Sequence, residues 1–315
     1  MPRDRRGQLL LVAALVLAVA FVALALVLNA VVFTENLATR NHDRTDDAIG
    51  FENAVDAGVG GIVVQANRYD ASDYATVRGA VRDGVAVWDE NATRLAAADG
   101  RVTDTEIVRL DNGTRILQDD PTRAVTNHLG TPDWTVAEDI TETRRFEMVV
   151  TPRSTSSPMV FHVESVSGTA SWRFEVIEDG SGGTAVSAFK NGTQVAAATA
   201  PSDTVTLDVT EGTLDGAEIA NWTFAEGVDG PYDMSVDDGD NAEGEYVLVV
   251  DRPRGDLLAD MPDSYDDPGT GDYPTTTPAV YRAVVDVTVR QSTLTYGTTL
   301  AVEPEDGVGA GGPAE

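Results

Sequence analysis

From Gln8 to Phe33 the chain carries no charged residue. As a helix, those 26 residues would span about 39 Å, enough to cross a bilayer hydrocarbon core of roughly 30 Å with some tilt. Arg3, Arg5 and Arg6 precede the run, and Glu35 and a mixed polar stretch follow it. Positive residues stay on the cytoplasmic side, so the N-terminus is expected inside the cell and everything after residue 34 outside, with the lipid bilayer as first partner. A removable export signal is the competing reading. Ala23-Leu24-Ala25 offers a small-residue cleavage site, but the following LVLNAVVF stays apolar, which a freed soluble domain has no use for. Arg5-Arg6 is only a loose match to a twin-arginine signal.

The rest of the chain is acidic. Asp and Glu number 52 against 22 Lys and Arg, for a net charge of −30, and Lys190 is the one lysine. The excess is dispersed, so nucleic acid is not an expected partner, since phosphate contacts need a basic surface. Copies of such a chain repel one another until salt screens them; at molar salt the Debye length falls to about 3 Å. A dispersed acidic excess with arginine in place of lysine resembles the proteins of halophilic archaea. There is no cysteine. Disulfides, thiolate metal sites and cysteine nucleophiles are excluded, and a domain this large needs no disulfides to fold outside the cell.

Proline marks a change in architecture. After Pro2 there is none until Pro121, and every other proline lies beyond. The chain is therefore expected to be helical first and rich in strands and turns later, an α+β fold. Residues 1–7 form a basic cytoplasmic leader, 8–33 a transmembrane helix, 34–100 a helical segment, 101–303 a mostly antiparallel, sandwich-like extracellular domain, and 304–315 a flexible tail. Within the helical segment, Phe51, Val55, Ile62, Ala66 and Tyr69 fall near one face. Gly58, Gly60 and Gly61 mean either a break or a close approach by another helix. Tyr74, Val77, Val81, Val85, Trp88, Ala92 and Leu95 make a longer amphipathic stripe, with Asp70 or Ser72 as the starting cap and Gly100 at the end. From residue 101 the period becomes two. TEIVRLDNGTRIL reads as two strands around an Asp111-Asn112-Gly113 turn, and Asn191-Gly192 reads as a second hairpin. DMPDSYDDPGTGDYPTTTP reads as a long polar loop.

The basic tip, then Gly7-Gln8, then an unbroken apolar helix resembles the class III signal of archaeal type IV pilins and pilin-like proteins, over about the first 30 residues. The resemblance implies that a prepilin peptidase cuts between Gly7 and Gln8. It also implies that the apolar helix stays on the mature chain, for anchoring and for self-association. Ala13, Ala14, Ala18, Ala20, Ala23 and Ala25 would let such helices approach closely. The glutamate that many bacterial pilins carry near the start of this helix is absent, since Leu11, Val12 and Ala13 occupy that region.

Four glycosylation sequons, at Asn91, Asn112, Asn191 and Asn221, all follow the apolar run, as suits an exported chain. VDDGDNAEGE and DSYDDPGTGD are oxygen-rich, but neither has the spacing of a calcium loop, and in so acidic a chain they read as solvated carboxylates. His42, His128 and His162 lack companion motifs, and no nucleophile elbow, zincin helix or phosphate loop occurs. No enzymatic activity and no cofactor are expected. The leading expectation is a pilin-like surface protein; the alternative is a monomeric anchored envelope or binding protein, and an anchored hydrolase ranks third and last.

Overall fold

The computed structural model describes residues 47–68, 71–292 and 294–304. The described fold is α+β and dominated by antiparallel sheet. Two helices come first, α1 over 47–68 and α2 Tyr74–Ala98. The strands are β1 Val102–Gln118, β2 Trp134–Ile140, β3 Thr143–Pro152, β4 Met159–Ser165, β5 Ser171–Glu178, β6 Thr184–Lys190 and β7 Thr193–Ala200, then β8 Val205–Asp208, β9 Thr213–Leu214, β10 Ala217–Glu218, β11 Tyr232–Asp237, β12 Ala242–Val250, β13 Thr275–Arg290 and β14 Thr295–Val302. A short helix, α3 Arg254–Asp260, precedes β13. One sheet has eight strands in the order β10-β9-β8-β3-β12-β1-β13-β14, and the other has six in the order β2-β11-β4-β5-β6-β7.

The sheets meet through an aromatic core. Phe146 of β3 touches Phe161 of β4 and Phe174 of β5, with ring centroids 4.7 and 5.8 Å apart. Trp172 lies beside Trp222 and Phe224 at 5.5 and 5.4 Å. Trp222 is fixed by its Nε1–H, which donates to the Val209 carbonyl at 2.8 Å. Burying both Trp172 and Phe174 completely is the main gain here, since each large ring removes more than about 150 Å² from water.

The helices cover a second core. Val55, Val59, Val63 and Ala66 of α1, with Val77, Val81 and Val85 of α2, pack on Val280, Ala283, Val285 and Val287 of β13 and on Val302 of β14. The valine spacing on α2 is the period that the sequence predicts. Its start differs from expectation, and its end at Gly100 is as expected. Asp73, not Asp70 or Ser72, is the N-cap, and its side chain accepts from the Thr76 N–H at 2.9 Å. Gly100 closes the helix with φ of +73°, a left-handed conformation that favours glycine. Leu95 is 74% exposed, and Ala96 takes the buried position, because the stripe has drifted round the helix by then.

The glycines of α1 do not break it; the helix is continuous through Gly58, Gly60 and Gly61. Gly58 lets the Trp88 indole lie against the backbone, where an added Cβ would meet Nε1 at 2.3 Å. Gly84 of α2 does the same for Ile62, at 2.7 Å. Gly58→Val should therefore cost about 1–3 kcal/mol by overpacking. Gly61→Ala, with nothing within 4 Å, should be neutral or stabilise by up to about 1 kcal/mol. Urea midpoints of the two variants check this; equal midpoints would refute the packing role of Gly58.

The largest correction concerns Asn112-Gly113. No turn forms there. β1 runs through as one strand, paired with β13 from Val102 to Leu117, with irregularities at Ile107/Arg109 and Asp111/Asn112. Neither residue takes the positive φ that a two-residue hairpin turn needs. Gly113 is required for a different reason: its missing Cβ would lie 2.4 Å from the Val250 carbonyl oxygen. Asn191-Gly192, with φ of 48° and 80°, is the expected hairpin between β6 and β7. The polar stretch before Thr275 is a loop, but its last residues, Thr275 to Pro278, belong to β13 and are buried.

Candidate functional site

Long strands need their edges sealed, and the helices do this. β12 pairs with β1 only over Thr114–Gln118, so residues 102–113 have no strand on the side away from β13. α2 runs along that side and supplies side chains to its backbone groups. Thr93 Oγ1 donates to the Thr103 carbonyl at 3.0 Å. The Thr105 N–H donates to Asp89 Oδ1 at 2.9 Å. Tyr74 Oη donates to the Leu110 carbonyl at 2.8 Å. Burial holds the Asp89 carboxyl above its ordinary range, opposed by that Thr105 N–H. On the far side, β14 pairs with β13 only as far as Ala283. Beyond it, Asn67 at the end of α1 takes both backbone groups of Val280: Nδ2 donates to the carbonyl and Oδ1 accepts from the N–H, each at 2.9 Å.

The open end of this helical hairpin is the part of the described fold next to residues 1–46. Asp47 opens α1, Asp99 and Gly100 close α2, Arg101 leads into β1, and Gln291 and Ser292 leave β13. Together they line an open polar cleft of about 340 Å³. Arg101 is held by Asp99, with Nη2 2.8 Å from Oδ2. Gly7 and Gln8, the orienting Arg3, Arg5 and Arg6, and His42 all lie outside the described residues. No helix among the described residues is long and apolar enough to cross a membrane, and the run Gln8–Phe33 lies outside them as well.

The other candidates are scattered. His162 of β4 sits 3.1 Å from Asp237 of β11 through Nε2. His128 lies in the loop before β2, its N–H donating to the Ser264 carbonyl. Of the acidic loops, Glu243 pairs with Arg153 at 3.0 Å, and Asp266 accepts from Thr270 Oγ1 at 2.7 Å. That hydroxyl and the Asp267 N–H hold the Asp266 carboxyl below its ordinary range. Among the described residues, no three side chains of metal-ligating type come together.

The sequons differ in what they present. Asn91 is exposed on α2, but its threonine, Thr93, is the residue that seals β1. Asn112 is half-buried mid-strand, and Thr114 is buried with its hydroxyl on the Arg252 carbonyl at 2.6 Å. Asn191 and Asn221, with Thr193 and Thr223, lie exposed at turns. Sequence reasoning missed Asn67 and Asp89. Asp89 and Thr93 do sit four residues apart, beside the valine stripe, as a residue pair facing a polar edge would.

A family match covers the helical hairpin and β1, but not β13. Residues 3–147 match a family of unknown function (DUF7261). The matched stretch begins at Arg3, takes in the charge-free run Gln8–Phe33, α1, α2, β1 and β2, and ends inside β3. No curated protein matches.

Proposed function

We propose that this chain is a pilin-like cell-surface membrane protein of a halophile, processed between Gly7 and Gln8 and held in the bilayer by the helix 8–33. The carrying observation is the order of the first 33 residues: Arg3, Arg5 and Arg6, then Gly7-Gln8, then a run with no charge. The N-terminus is cytoplasmic, and the helical hairpin and β-rich part are extracellular. Two features support the reading. The family match spans leader, apolar run and helical hairpin together. A connector of 13 residues, 34–46, separates the apolar run from α1, and on this reading the polar end at Asp47, Asp99 and Arg101 faces the membrane. The acidic excess suits a protein bathed in strong salt. A second reading, an anchored monomer that enters no filament, is favoured by Leu11, Val12 and Ala13 standing where many bacterial pilins carry a glutamate.

N-terminal sequencing of the mature protein decides the processing. The expected first residue is Gln8, and Gly7→Val should leave the leader attached. A mature chain beginning at Met1 or Pro2, or one lacking the apolar run, would overturn the proposal. If Gln8 is first but no assemblies form in molar salt, the anchored monomer is the correct reading.

A further inference from the structure

β7 is the outer strand of the six-stranded sheet and pairs with β6 alone. Its eight residues, TQVAAATA, carry no charge. This reverses the usual arrangement, in which an exposed edge is guarded by charged side chains or proline. It also contrasts with the strands inside the sheets. The strands inside both sheets carry charges: Arg144, Arg145 and Glu147 in β3, Arg173, Glu175 and Glu178 in β5. The bulge at Val195, between the pairs Ala188–Ala196 and Phe189–Gln194, leaves Ala196–Ala200 as the regular section. There Ala197 and Thr199 are exposed, while Ala196 and Ala200 are buried in the aromatic core.

We propose that β7 is a contact between two copies of this chain, joined edge to edge as antiparallel strands around a two-fold axis. A strand edge offers a row of N–H and C=O groups that only another backbone satisfies along its length, and an identical edge turned through two-fold symmetry does so reciprocally. Charge selects a second copy as the occupant. At −30, copies repel wherever carboxylates face each other, and β7 is an edge where none do. The opposed side chains are alanine and threonine, small enough for two sheets to continue into one without a step. A contact of about five residues a side falls well below the roughly 1,200 Å² of a stable interface, so it is weak and concentration-dependent. It also strengthens with salt, because the flanking acidic surfaces stop repelling. β14 is charge-free too, but it is interrupted by Gly297, and α1 lies against it through Gly60 beside Val302 and Pro304.

The absence of native cysteine makes the test direct. Ala197→Cys and Thr199→Cys are made singly in the full chain, solubilised in detergent at molar salt and mildly oxidised, alone and mixed. Two-fold pairing through Ala196–Ala200 places one of the three combinations in disulfide reach. The expected result is a covalent dimer from at least one, fading as salt is lowered. In sedimentation, Thr199→Asp should weaken association about tenfold, since each dimer carries the added charge twice. No disulfide in any combination would overturn the proposal. So would equal cross-linking of Thr299→Cys on β14, which would mark chance collision or the other edge. The test does not depend on how the N-terminus is processed.

Discussion

Asn67→Leu is expected to lower the free energy of unfolding by about 2–5 kcal/mol. Asn67 is 4% exposed and is the partner of both backbone groups of Val280 where β14 has ended. Leucine has similar bulk but neither donor nor acceptor. The Val280 N–H and C=O would lose their partner in a site too enclosed for water, at about 1–3 kcal/mol for each unsatisfied group. Asn67→Asp, in its neutral form at low pH, keeps an acceptor for the N–H and offers an O–H to the C=O, so it should lie nearer wild type than leucine does. Urea unfolding of the full chain in detergent reads this as a lowered midpoint at unchanged slope. A midpoint within experimental scatter of wild type would mean that α1 is held by its valines alone.

Lowering the salt should have a still larger effect. Two like charges 10 Å apart in water repel by roughly 0.4 kcal/mol, and the Debye length grows from about 3 Å at 1 M to about 10 Å at 0.1 M. With a net charge of −30, many such pairs become unscreened together, and the native state holds them closer than the unfolded chain does. The sheets also oppose carboxylates directly. Glu106 is the cross-strand partner of Asp286, and Asp233 that of Glu164. A loss on the order of 5 kcal/mol is expected between 1 M and 0.1 M salt, comparable to the whole stability of many domains. Glu106→Gln should recover part of it at 0.1 M and have little effect at 1 M. Unfolding curves that superimpose at the two salt concentrations would refute the argument.

What could be read from sequence followed from how local each signal is. Val77, Val81 and Val85 announce the buried face of α2 by spacing alone. Alternation announces β3 to β7, and Asn191-Gly192 announces its turn. The same dipeptide at Asn112-Gly113 misleads, because Val250 and Tyr281, far along the chain, decide that glycine's role. β2 was not legible: Glu138-Asp139 interrupts its alternation, and Asp139 takes a φ of 53°. β11 does alternate, with Tyr232, Met234 and Val236 buried, but over only six residues between Pro231 and an acidic loop. The basic tip, the apolar run and the sequons are linear patterns, visible without any knowledge of contacts. The sealing roles of Asn67, Asp89 and Thr93 depend on where neighbouring strands stop. The lack of charge in TQVAAATA is visible in the sequence, but its position at an edge is not.

β1 reaches both cores, with Ile116 in the aromatic core and Ile107 and Leu110 against the helical one, while its partner β13 lines the helical core. This gives the molecule two very different mechanical responses. Tension entering at residue 47 acts on α1, whose contacts with β13 and β14 lie in a row and give way one after another, as in unzipping. The same tension carried into β1 acts along its length, where the pairs with β13 from Val102 to Leu117 must slide together. The hairpin of α1 and α2 is therefore a fuse that yields at low force, and the two long strands are the frame that survives it.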